Sequence, residues 1–216
     1  TAFQDFHLDI LRSAGWKIRE VQHIAVTQSE EHPVGKQFVG VMNKLHIWNM
    51  TEYKAVAIID ADAMLVGPID EPFRFLRESQ YPLAAVHNGA GNHGKPAELE
   101  FDNSLNAGVL FARPNASLLP QLIEASHDIS TYANWLPEQN FLSKYFSGRW
   151  LGLDAGYNLC PSYSTDGRGE FYGKVRQNAR ILHFYGDNKP WKNCIAQKGS
   201  GERRKCTTDS REWIRK

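Results

Sequence analysis

Cysteine is scarce in this chain. Cys160, Cys194 and Cys206 are its three cysteines; they show no zinc-type spacing, and an odd count leaves one thiol free if the other two pair. An excess of one charge is lacking too. Lys and Arg number 25 against 24 Asp and Glu, a formal net charge of +1, so no polyelectrolyte attraction makes nucleic acid the default partner. No apolar run approaches the length that spans a bilayer, and no charged-then-apolar leader stands at the start as given. The chain opens on Thr1 rather than Met, so an anchor or signal ahead of it stays open. Internal repeats and low-complexity segments are absent. Asn49-Met50-Thr51 and Asn115-Ala116-Ser117 fit the glycosylation pattern, but a tripeptide this loose arises readily by chance.

What is present is ordinary globular material. A hydrophobic content of 42% and a charged content of 23% in 216 residues suffice for one sizeable core without demanding two domains. Phe3, Phe6, Ile10 and Leu11 stand at helical spacing before a stop at Gly15. The segment from Trp16 to Ile24 reads as a strand with imperfect alternation, and 30–35 as a loop around Pro33. Phe38, Val41, Met42, Leu45 and Trp48 form an amphipathic helical stripe that feeds a strand ending at Asp60. This alternation predicts an α/β protein with a largely parallel sheet. Further on, a short helix is expected over 69–78 and a strand over 83–87. A glycine-rich exposed loop covers 88–96, then a strong strand 107–113 and a helix 117–128. A helix from Pro137 buries Phe141, Leu142, Tyr145 and Phe146, and short strands follow at 149–153 and 180–184. Residues 162–173 form a loop, and 192–216 a basic, weakly periodic tail.

The chemistry gathers around Val56-Ala57-Ile58-Ile59-Asp60-Ala61-Asp62. Four apolar residues end in two carboxylates, which a buried strand would project from the sheet edge where open α/β folds bind ligands. Acids that repel one another tolerate that position best around a hard divalent cation such as Mg²⁺ or Mn²⁺. A lone Asp-x-Asp is more often a solvated turn, so the rest of the chain has to decide. Asn106, Ala107 and Gly108 place an amide and a glycine against a buried strand, where a backbone can approach a ligand closely. Glu138 and Gln139 open a helix, an unremarkable N-terminus by itself. His183-Phe184-Tyr185-Gly186-Asp187-Asn188-Lys189-Pro190-Trp191 presents an imidazole at a strand end, a glycine turn and a lysine before proline. Separately, His183 reads as a structural histidine and Lys189 as a solvated charge.

Together these blocks resemble glycosyltransferase family 8, the glycogenin-like retaining sugar transferases. The likeness begins at Asn43-Lys44-Leu45-His46-Ile47-Trp48, runs from Tyr53 to Pro72, and resumes at Asn106-Ala107-Gly108-Val109 and Glu138-Gln139-Asn140-Phe141-Leu142. It continues at Ala155-Gly156-Tyr157-Asn158 and closes over His183 to Trp191. The resemblance implies a GT-A type nucleotide-diphospho-sugar transferase fold, α/β, with a single Rossmann-like mixed sheet flanked by helices. It implies a transferase domain over 1–191 that lacks the family's usual opening strand–helix–strand, with 192–216 as a peripheral extension. Asp60, Asp62 and His183 match the family's Mn²⁺ ligands, an O/O/N set that also admits Mg²⁺. The donor site would comprise Lys44, Asp60, Ala61, Asp62, Asn106, Ala107, Gly108, Gly186 and Lys189, the last two against the diphosphate. Glu138 and Gln139 match an acid–amide pair beside the reacting carbon. Here Glu138 stands where glycogenin-like members often carry Asp, and Ala107 replaces a commoner serine.

The implied reaction moves a hexose, glucose or galactose, from a UDP-sugar to an unidentified acceptor (glycan, protein, inositol or lipid) with retained anomeric configuration. Gln139 is a poor nucleophile, which favours front-face attack over double displacement. A catalytically degenerate nucleotide-sugar-binding scaffold is the alternative of another class, and a metal-dependent phosphohydrolase a third. Trp135 and Trp150 are candidate sugar-stacking rings, although aromatics are more commonly buried. Tyr163 and Tyr172 do not align with the tyrosine that glycogenin glucosylates on itself. A homodimer is compatible with the resemblance, and the cytoplasm is slightly preferred over the Golgi lumen.

Overall fold

The computed structural model describes residues 5–27, 35–88, 104–128, 136–161, 176–186 and Lys189. The expected loops at 89–96 and 162–173, the tail at 192–216, and Trp135, Tyr163 and Tyr172 lie outside them.

Helix α1 (Asp5–Ser13) ends before Gly15, whose φ of 87° is the left-handed stop the sequence announces. The next segment is not the expected strand. Trp16, Ile18 and Val21 are exposed, and side chains rather than a ladder engage its backbone. Ile24 N–H donates to Asn43 Oδ1 at 2.8 Å, and His46 Nε2 donates to the Gln22 carbonyl at 2.7 Å. The stripe that follows is helical but wound as 3-10 helix, over Lys36–Phe38 and Val41–Asn49. Met42, Leu45 and Trp48 are buried at intervals of three, the repeat that eclipses side chains on one face of a 3-10 helix.

The main sheet contains β1 (Val56–Ile59), β3 (Leu83–His87), β4 (Leu105–Ala112) and β5 (Leu151–Leu153), in the order β1-β4-β3-β5. It is mixed, not largely parallel. β4 runs antiparallel to both β1 and β3, whereas β3 and β5 pair in parallel. The expectation failed because helical and extended segments alternate as in a parallel fold, whereas β4 enters the sheet in the reverse sense. A second ribbon, β2 (Ala63–Leu65) with β6 (Ile181–His183), had only its later strand legible in the sequence. Helices α2 (Asp70–Glu78), α3 (Leu118–Ala125) and α4 (Pro137–Tyr145) fall where the periodicity puts them.

Both faces of the sheet are covered. Leu83, Ala85, Leu105, Leu110 and Ala112 pack on one side with the 3-10 helix, α3 and α4, where Trp48 stacks on Phe146 at 5.4 Å. Ala84, Val86, Val109 and Phe111 face the other side with Leu76, Tyr157 and Ile181. Trp150 is buried against His87, with ring centres 4.4 Å apart, so it is core rather than a sugar platform.

The pairing of β4 with β3 is irregular. The pairing advances from Ala85 to His87 on β3 while β4 runs back from Leu110 to Leu105. The surplus residues form a bulge over Asn106-Ala107-Gly108, and the packing parity inverts across it: Leu105 and Ala107 face one core, Val109 and Phe111 the other. Asn106 stabilises the bulge by accepting from the Gly108 N–H at 3.0 Å. Helix α4 satisfies the amides that the bulge strands. Leu105 N–H donates to Ser143 Oγ at 3.0 Å and Ala107 N–H to Gln139 Oε1 at 3.2 Å, the two side chains sharing a helix face at i and i+4.

Tyr157 ties the second core to α2 by donating to Glu71 Oε2 at 2.7 Å. Burial, reinforced by that carboxylate, pushes its phenol up to about 12. Replacing Tyr157 with Phe should cost about 1 kcal/mol in urea unfolding at neutral pH. Because the folded-state value is raised, the proton-linked part is complete below the ordinary phenol value of 10.0 and is lost as pH climbs toward about 12. The gap between wild type and Tyr157→Phe should therefore narrow only above that lower value.

Candidate active site

Strand β1 delivers the Asp-x-Asp pair to the bulge. Beyond Ile59, Asp60 N–H donates to the Gly108 carbonyl at 2.9 Å, and Ala63 N–H closes a turn on the Asp60 carbonyl at 2.9 Å. Ala61 is the exposed tip of that turn. The β2–β6 ribbon then sets Ala63 opposite His183, and Phe184 N–H donates to the Asp62 carbonyl at 2.9 Å. Residues 120 positions apart in the chain thus meet because one short ribbon joins the end of β1 to the end of β6.

The imidazole of His183 lies on Gly108. A Cβ at that position would stand 2.0 Å from His183 Cε1 and 2.6 Å from Nδ1, so only glycine leaves room for the ring. His183 Nε2 is 3.2 Å from Asp62 Oδ1 and 4.0 Å from Asp60 Oδ2. One donor atom from each of Asp60, Asp62 and His183 falls within 4.8 Å of the others, a spacing that a single cation can bridge. Two carboxylates and an imidazole suit Mn²⁺ or Mg²⁺ chemistry better than a thiolate site would. The donor set fits a divalent metal.

Two lysines balance the acids. Lys44 Nζ sits 2.8 Å from Asp60 Oδ1, 3.1 Å from Glu138 Oε1 and 3.1 Å from the Ala107 carbonyl. Burial alone would lower its pKa, but Glu138 and Asp60 together outweigh that and hold the ammonium above its usual range. Lys189 pairs with Asp62 and donates to the Phe184 carbonyl at 2.6 Å. The hydrogen bond from His183 does most to hold the Asp62 carboxyl well below its usual range; burial opposes this, and Lys189 adds to the lowering. Gly186, with φ of 72°, adopts the left-handed conformation that favours glycine.

Glu138 and Gln139 are buried at the start of α4. Gln139 Oε1 is taken by the Ala107 N–H and Glu138 Oε1 by Lys44. Gln139 Nε2 and Glu138 Oε2 are buried with no partner among the described residues. An orphaned donor and an orphaned acceptor beside a cation site are unfavourable for folding alone and suit a hydroxyl-rich ligand. Ala107 is buried and acts through its backbone. Asn158, given no role by the sequence, is buried and accepts from His183 Nδ1 at 2.8 Å. Nothing in the local sequence around it signals that contact.

The profile of glycosyl transferase family 8 matches residues 2–194. The chain belongs to that family. Among curated relatives, the putative UDP-glucuronate:xylan alpha-glucuronosyltransferase 5 of Arabidopsis thaliana is 29% identical over 182 residues, covering 84% of this chain and 28% of that protein. Glycogenin-1 of Mus musculus is 29% identical over 158 residues, covering 69% of this chain and 41% of that protein. The chain therefore spans less than half the length of either relative. In structure, the glycosyltransferase GlyE of Streptococcus pneumoniae superposes with a TM-score of 0.54 at 20% identity, over 84% of this chain and 47% of that one. The fold is GT-A, and the α/β, mixed-sheet expectation is met.

In this family 8 chain the glycine of the bulge is a fitting requirement of the histidine. Gly108→Ala should expel the His183 ring and weaken divalent-cation binding by roughly 10-fold or more. Calorimetric titration with MnCl₂ measures this, and unchanged affinity would mean the ring does not need that space.

Proposed function

We propose that this chain carries the donor site of a metal-dependent, retaining hexosyltransferase that takes glucose or galactose from a UDP-sugar. The observation that carries the reading is the convergence of Asp60, Asp62 and His183 beside Glu138 Oε2 and Gln139 Nε2, buried atoms with no partner among the described residues. A cation site alone suits many reactions, but buried polar atoms awaiting partners suit a sugar. A relative whose name carries UDP-glucuronate supports a UDP-linked donor. We favour a neutral hexose because the free oxygen of a carboxylate at Glu138 accepts from hydroxyls and repels a sugar acid.

Asp60, Asp62 and His183 would hold the metal, Mn²⁺ in first place and Mg²⁺ in second. When bound, it would neutralise negative charge on the leaving diphosphate as a Lewis acid. Lys189 supplies a further ammonium at the same place, a point charge suited to a phosphate oxygen. Glu138 faces the donor with one oxygen while Lys44 holds the other; its negative charge would stabilise positive charge developing on the sugar carbon. Gln139 donates through Nε2 and so orients a hydroxyl or ring oxygen. Gln139 is a poor nucleophile, so retention would proceed by front-face attack, with the leaving phosphate taking the acceptor's proton.

The test is UDP release from UDP-glucose, UDP-galactose and UDP-glucuronate with Mn²⁺, Mg²⁺ or EDTA. Release from one neutral donor is expected, abolished by EDTA and by Asp62→Asn, and reduced about 10²–10³-fold by Glu138→Ala. Cleavage of simple phosphate esters in place of the nucleotide sugar would overturn the reading in favour of a phosphohydrolase. Binding of UDP-glucose without release would point to a nucleotide-sugar-binding protein instead.

A further inference from the structure

The hydrogen-bond polarity beside the cation site is set by one backbone amide. Gly108 N–H can only donate, so the Asn106 atom it meets at 3.0 Å is the carbonyl oxygen Oδ1. Asn158 approaches that same oxygen at 2.8 Å and must present its Nδ2. Its Oδ1 therefore faces His183 Nδ1, at 2.8 Å. An amide oxygen accepts only, so Nδ1 must carry a proton. Asn106 Nδ2, the end left over, donates to Asn88 Oδ1 at 3.4 Å. Every orientation in this chain of amides follows from the bulge, and none is free to reverse alone.

We propose that Asn158, held in orientation by Asn106, is a positioning residue that keeps the Nδ1 proton of His183 in place. Nε2, which bonds Asp62 in the metal-free protein, is then the nitrogen left for the cation, on the side where Asp60 and Asp62 stand. The inference rests on the proposed metal-dependent reading but adds to it. It assigns Asn106 a task distinct from donor binding, and Asn158 one that the motif does not announce. The energetic logic is that a ring bonded on one side by a buried acceptor cannot rotate or change tautomer without leaving Asn158 Oδ1 unpaired. His183 and Asn158 are both almost fully buried, 4% exposed each, so water cannot readily replace that bond. Gly108 serves the same end twice, through its N–H and through the absence of a Cβ.

The experiment combines two readouts that need no sugar transfer. Long-range ¹H–¹⁵N correlation spectra of the metal-free wild type should show His183 protonated at Nδ1. Free-ion electron paramagnetic resonance, with Mn²⁺ alone as the probe, should give affinities weakened 10-fold or more in Asn158→Leu and in Asn106→Leu. Asn106→Asp keeps an acceptor for both Gly108 and Asn158, so it should retain the Nδ1 proton. A wild-type His183 bare at Nδ1 would overturn the relay, even if the leucine variants failed to fold. So would Asn158→Leu binding Mn²⁺ as well as wild type, and in that case the transferase reading would stand. Wild-type protein that binds no Mn²⁺ would sink both.

Discussion

Repulsion among carboxylates is the constraint around which this molecule is arranged. Asp60, Asp62 and Glu138 converge where solvent is partly excluded, and like charges there interact far more strongly than in water. Lys44 spans Asp60 and Glu138, and Lys189 pairs with Asp62. Each lysine also donates to a backbone carbonyl, Ala107 for the first and Phe184 for the second, so the countercharges are fixed to the framework. Removing Lys44 would leave Asp60 and the buried Glu138 without the ammonium that spans them, which is the costly way to break such a pair. The fold thus tolerates a concentration of negative charge that an incoming cation can exploit.

The framework itself turns on β4. Its later half is an ordinary central strand, buried on both faces between β1 and β3. Its opening residues leave the regular ladder at the bulge, and four of the candidate site residues are referred to that departure. Asp60 is anchored on the Gly108 carbonyl, Gln139 on the Ala107 amide, Lys44 on the Ala107 carbonyl, and His183 packs over Gly108 itself. Bulges beside sites re-aim side chains while the rest of the sheet keeps its register. Here the effect falls mainly on neighbours, because the bulged backbone offers them amides and carbonyls that a paired strand would have consumed.

Much of the architecture was legible from short-range pattern. The strand over 83–87, the helices α2, α3 and α4, and the apolar run into Asp60 all stand where periodicity and turn residues put them. The misreadings have different causes. A segment such as 16–24 has the composition of a strand, but a strand exists only if another offers it a ladder, and here Asn43 and His46 take its backbone groups. The 3-10 winding of Val41–Asn49 departs from the α-helical expectation, although burial at steps of three was present in the residues. Three-residue β2 was too brief to show a pattern at all.

The sequence by itself determined the kind of chemistry and the family. Two acids after an apolar run, an imidazole at a strand end, and a lysine beyond a glycine turn are choices of residue type, and residue type survives without coordinates. What only the tertiary structure decided is which atoms of those residues are engaged and which are left over. That Glu138 Oε2 and Gln139 Nε2 have no partner among the described residues, and that Asn158 claims His183 Nδ1, are outcomes of partnerships across the chain. Those partnerships depend on the bulge in β4 and on strand direction. The physical reason is that hydrogen bonds are directional and are saturated one at a time, so the function of a polar side chain depends on what its other end has already been given.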